Sequence, residues 1–193
     1  MTIKHLAAAL CASLVVAGSV NAAVLLTAGG SPANTVTDYS AQGAVSFDLD
    51  LENFNAATLR FALEEGDLLG PLSLNAIVRN LSGTALNQFQ FRLQGISFVA
   101  PGSVTPTFGT LGKVEHSTHE AGIAFASPEW AEFHFGNALA MQGASDWLLD
   151  TRGLHAGDTF VIRANVPEPS TLALMLPALC MAGWMAARRR RRG

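Results

Sequence analysis

The sequence predicts an all-β protein, an antiparallel β-sandwich of jelly-roll or immunoglobulin-like type, flanked by an N-terminal signal helix and a C-terminal transmembrane helix. Three observations predict it. Between positions 44 and 164 apolar residues recur mostly at a spacing of two, the period of a strand with one buried face. Clusters of Gly, Pro, Asn and Ser interrupt those runs at short intervals, as turns between strands do. Outside the termini there is no long helical period, and no internal repeat points to a solenoid.

The chain has 193 residues and opens with Met1-Thr2-Ile3-Lys4-His5, an apolar run from Leu6 to Ala17, and Gly18-Ser19-Val20-Asn21-Ala22-Ala23. A basic head, a short apolar stretch and small residues are the three parts of a secretory signal. The apolar run is short for the roughly 20 residues that span a bilayer. Val20 and Ala22 stand three and one residues before a cut between Ala22 and Ala23, so residues 1–22 read as a signal peptide, handled by the Sec machinery and signal peptidase.

Residues 23–165 form the domain. Val45, Phe47, Leu49 and Leu51 alternate with Ser46, Asp48, Asp50 and Glu52; Leu59, Phe61 and Leu63 alternate with Thr58, Arg60 and Glu64. Leu72, Leu74, Ala76 and Val78 continue the pattern up to the turn-forming Asn80-Leu81-Ser82-Gly83-Thr84. Phe89, Phe91 and Leu93 follow, with Gly95 expected to mark a bulge before Ile96 to Val99. Ala121 to Ala126, Trp130 to Phe135 and Thr159 to Ala164 read as further strands.

Residues 166–193 follow a different pattern. Val166-Pro167-Glu168-Pro169-Ser170-Thr171 leads into the apolar stretch Leu172 to Ala187, closed by Arg188, Arg189, Arg190, Arg191 and Arg192. As a helix the apolar stretch rises about 24 Å, and Thr171 extends it toward a hydrocarbon core about 30 Å thick, giving a transmembrane helix over about 171–187. The arginines stay cytoplasmic by the positive-inside rule, which leaves the domain outside. These three ordered parts resemble the PEP-CTERM sorting signal, also known as the ice-binding-protein C-terminal motif. The resemblance implies an exosortase-type membrane protease as partner, with Pro167, Glu168 and Pro169 in the place of the family's recognition residues. It also implies transfer from the inner membrane to the cell surface of a Gram-negative bacterium that makes exopolysaccharide, a further expected partner. A permanent tail anchor is the plainer alternative.

Removing both signals changes the electrostatics. Lys4 and the five C-terminal arginines leave, so in a mature chain that keeps Glu168 six basic residues face fifteen acidic ones and the net charge is about −9. Such a domain repels nucleic acid, which is therefore not a partner. Cys11 and Cys180 lie in the signals, so the domain has no thiol for a disulfide, a metal or a nucleophile.

The candidate chemical groups are few. His116, His119 and Glu120 fall within five residues, a composition able to bind zinc but lacking the helical HExxH spacing; a hairpin tip is the expected setting. Asp48, Asp50 and Glu52 project from one face of a strand, a poor wrap for calcium and a good solvated surface. Glu132 and His134 share a face with Trp130, a grouping that suits sugar contact or general acid catalysis, and Trp147 is a second candidate for stacking on sugars. No G-x-S-x-G, P-loop or G-x-G-x-x-G occurs. The expectation is a non-enzymatic structural or binding component of the polysaccharide matrix, without a cofactor or metal. The alternative is a secreted hydrolase of matrix polysaccharide, using Glu132 or one of Glu129, Asp146 and Asp150. Ice binding is disfavoured, because the domain lacks regular threonine arrays.

Overall fold

Strands form where alternation lets one face leave water, and the chain does this repeatedly. The computed structural model describes residues 22–167. These form β1 (Val24–Gly30), β2 (Thr35–Asp38), β3 (Ala44–Leu51), β4 (Ala57–Ala62), a 3-10 helix (Glu65–Leu69), β5 (Leu72–Asn80), β6 (Leu86–Gln94) and β7 (Ser97–Ala100). The order continues with β8 (Val104–Pro106), β9 (Thr110–His116), β10 (Glu120–Glu129), β11 (Glu132–Phe135), β12 (Trp147–Asp150) and β13 (Thr159–Asn165). The expected signal helix, apart from Ala22, and the expected transmembrane helix over 171–187 lie outside the described residues. Among the described residues no helix is long and apolar enough to cross a membrane.

The strands build two sheets. One is six-stranded and wholly antiparallel, in the order β1-β4-β13-β6-β10-β9. The other is seven-stranded, in the order β2-β3-β5-β11-β8, with β12 pairing both β5 and β7. It corrects the antiparallel expectation, because β3 and β5 run parallel over their full shared length, from Ala44 opposite Ser73 to Leu51 opposite Asn80. A hairpin cannot join parallel neighbours. Here the chain leaves β3, contributes β4 to the other sheet and returns as β5.

The alternating apolar residues of both sheets meet in one core. Val45, Phe47, Leu49 and Leu51 of β3 are buried while their neighbours are partly exposed. Phenylalanines join the sheets: Phe47 packs edge-on against Phe91 at 6.0 Å, Phe89 against Phe133 at 5.2 Å and Phe91 against Phe135 at 4.8 Å. Each buried aromatic stabilises the fold by about 1.5–3 kcal/mol through area removed from water, and edge-to-face pairs add to that.

Three local expectations are corrected. Gly95 is not a bulge: at φ +83° it turns the chain from β6 in one sheet to β7 in the other, a left-handed conformation that favours glycine. The run Trp130 to Phe135 is not one strand, because Trp130 and Ala131 carry the chain between sheets and β11 starts at Glu132. Glu52 lies beyond the end of β3, so only Asp48 and Asp50 share that strand's outer face.

Candidate functional site

The described residues begin at the expected signal cut and end inside the matched tail motif. Ala23, expected to become the first residue after cleavage, is buried against the core and β1 begins at the next residue. At the other end β13 finishes at Asn165, Val166 packs partly against the core and Pro167 is the last described residue. Glu168, Pro169 and Arg188 to Arg192 lie outside the described residues.

The histidine segment forms the tip of the β9–β10 hairpin, closed by the Ser117 amide donating to the Glu120 carbonyl at 2.8 Å. The two imidazoles and the carboxylate do not converge. His116 packs edge-on to Trp147 with ring centroids 6.2 Å apart, while the Glu120 carboxylate turns to Arg92 at 3.1 Å and to the Gln90 amide. Among the described residues no three His, Cys, Asp or Glu side chains are placed to hold a metal ion.

On the outer face of the seven-stranded sheet, Arg79 of β5 gathers three acids. Its guanidinium donates to Asp48 at 2.6 Å and Asp50 at 3.0 Å on the parallel neighbour β3, and its Nε lies 3.5 Å from Glu132 on β11. The register dictates this, since Asp50 and Glu132 both pair with Arg79 from opposite sides. The bonds to Asp48 and Asp50 raise the pKa of Arg79 above its ordinary value. Glu132 also lies 3.4 Å from His134 Nε2. The two share a face as expected, but His134 is buried and Trp130, in the crossing segment, does not join them.

Of the two tryptophans considered for sugar stacking, Trp147 is fully buried, stacked on Phe135 at 4.5 Å with its indole N–H donating to the Ser103 carbonyl. Trp130 is 58% exposed. Its position is fixed by Glu129, whose fully buried carboxylate accepts five backbone N–H groups. Thr107, Phe108 and Gly109 donate to Oε2 at 2.8–3.0 Å, and Trp130 and Ala131 donate to Oε1 at 2.9 Å. Burial pushes this carboxyl up, but the amides of Ala131, Gly109, Phe108 and Trp130 outweigh it and hold Glu129 below the ordinary glutamate range. The carboxylate is thus saturated and ties the β8–β9 loop to the β10–β11 crossing. Asp67 does similar work, accepting from Gly43 at 3.0 Å and Glu64 at 2.9 Å.

Asp150, on β12, is bound by Arg152 at 2.7 and 2.9 Å. The Arg152 side chain, with its backbone N–H, lowers the Asp150 carboxyl to about 2. No saturating contact is formed by Asp146, which lies in the segment just before β12 and makes no side-chain hydrogen bond among the described residues.

Among curated proteins and among solved structures none matches this chain. One family model does match, over residues 165–192, and its first residue is the last residue of β13. The chain therefore carries, from the last residue of its final strand onward, the PEP-CTERM protein-sorting motif.

Proposed function

We propose that this chain is an exported, surface-sorted protein whose β domain is a non-catalytic binding or structural component of the extracellular polysaccharide matrix. The observation that carries the reading is the PEP-CTERM motif at residues 165–192, which implies export and processing by an exosortase. On this reading residues 1–22 are a signal peptide, 23–165 the working domain and 166–193 a sorting tail. That tail spans the inner membrane over about 171–187 and leaves Arg188 to Arg192 in the cytoplasm.

Engagement of three of the four candidate acids, all but Asp146, supports a non-catalytic domain. A general acid or nucleophile needs a carboxyl free to meet substrate. Glu129 is saturated by amides, Glu132 faces Arg79 and His134, and Asp150 is held by Arg152. A glycan array and a pull-down with polymer from the native cell surface test the proposal: retention on either supports it, and no retention on both overturns it. The hydrolase alternative has the Glu132–His134 pair in its favour. Release of reducing ends from the retained polymer, abolished by Glu132→Gln, would replace the binding reading with that one.

A further inference from the structure

We infer that the outer face of the six-stranded sheet holds a binding groove for a neutral, hydroxyl-rich polysaccharide; this rests on the matrix-binding reading and names its site. The groove measures about 690 Å³ and runs along β10. The registers of three strands build it. Gln90, Gly122 and Glu115 stand in one row across the sheet, and Gln88, Ala124 and Lys113 in the next. Residues two apart share a face, so Gln88 and Gln90 form one wall, Lys113 and Glu115 the other, and Gly122 with Ala124 the floor. The wall strands lie two strand spacings apart, about 9.5 Å.

Gly122 is not required by the fold. Its φ is not in the left-handed region, and a Cβ built there would meet only the Glu115 carbonyl oxygen, at 3.9 Å. Glycine inside a strand weakens it, and one that neither chirality nor crowding demands fits a place where a ligand approaches closely. The groove's volume falls within the range of ligand sites, about 300–1,000 Å³.

The walls select the ligand's chemistry. Each Gln amide can both donate and accept, as sugar hydroxyls do. Gln90 is positioned for this, since its amide bonds to Glu120 and its Oε1 accepts from Arg92 Nε at 3.1 Å. The charges around the groove cancel, Lys113 pairing with Glu115 and Arg92 with Glu120. The domain as a whole, with six basic and fourteen acidic residues between 23 and 165, carries about −8 and repels polyanions. A peptide adding as a strand would join the free edge at β9, outside the groove, since the groove floor β10 is bonded to β6 on one side and β9 on the other. Pro167 lines one end of the groove, which places it beside the start of the sorting motif.

Affinity electrophoresis of the full chain in detergent tests the inference, using gels that carry a neutral glucan, galactan or mannan and, separately, a polyuronate. At least one neutral polymer should retard the wild-type chain. Gly122→Ile fills the floor without backbone strain and should weaken that retardation at least tenfold with the melting temperature nearly unchanged. The double variant Gln88→Ala with Gln90→Ala should weaken it comparably, and decides the matter should Gly122→Ile fail to fold. Neutral-polymer binding unchanged in both variants overturns the groove while matrix binding stands. Retardation by the polyuronate alone, or capture by peptides alone, overturns the ligand class. No retardation of the wild type by any polymer overturns the matrix reading and the groove together.

Discussion

Glu129 holds five amides on two oxygens, and a side chain that replaces one oxygen by an amino group must turn a donor toward two or three of them. Glu129→Gln should therefore destabilise the domain by about 3 kcal/mol, read from urea denaturation at pH 7. Because the folded pKa of Glu129 lies below its unfolded value, its contribution is present above about pH 4.3 and is lost as pH falls through the folded value. The urea midpoint should thus fall as pH drops below about 4, and fall less steeply in Glu129→Gln. The tryptophans divide as sharply. Trp147→Ala should cost about 3–5 kcal/mol, whereas Trp130→Ala should stay within about 0.5 kcal/mol, and acrylamide should quench Trp130 far more than Trp147. None of this was legible in the sequence. Glu129 carries no periodic mark, and three of the amides that hold it come from about twenty residues earlier; alternation put Trp130 on a strand that it precedes, and Trp147 stands in an unbroken apolar run.

Between β3, β5 and β11 the Arg79 cluster links three strands by charge, at a partly exposed site where solvent screens it. Arg79→Ala should cost about 1–2 kcal/mol, more at low than at high ionic strength, because it leaves Asp48, Asp50 and Glu132 facing one another. Denaturation at two salt concentrations checks this. Strands with one dry face were the legible ones: β3, β4, β5, β6, β10, β11 and β13 all announce themselves by alternation, though the bounds of β11 shift. The missed strands lack that signal; in β12 it is hidden because Trp147, Leu148 and Leu149 are apolar in succession although only Trp147 and Leu149 are buried. β1 and β9 are the edges of their sheet and are exposed along most of their length, so their two faces differ little in sequence. β2 is an edge of the other sheet, and β8 has three residues and ends in a proline. Parallel pairing of β3 with β5 was likewise invisible, because alternation reports which face is buried and says nothing of a neighbour's direction.

At the scale of the molecule the described fold begins and ends beside the expected signal cut and the matched motif. Ala23 enters the core directly after the expected signal cut, and the sorting motif begins on the last residue of β13, a strand in the interior of its sheet. The described domain thus starts within a residue or two of the expected cut and stops at the first residue of the matched motif. The tail motif was the most legible part of the chain, since it is recognised from composition, charge and order. The binding groove was the least legible, since it exists only once β6, β10 and β9 lie side by side. The central claim is that this domain is exported and its tail processed, and the intact mass of the protein recovered from the native cell surface tests it most directly. A polypeptide beginning at Ala23 and ending near Pro169 is the predicted result; a mass that still includes Arg188 to Arg192 would contradict it.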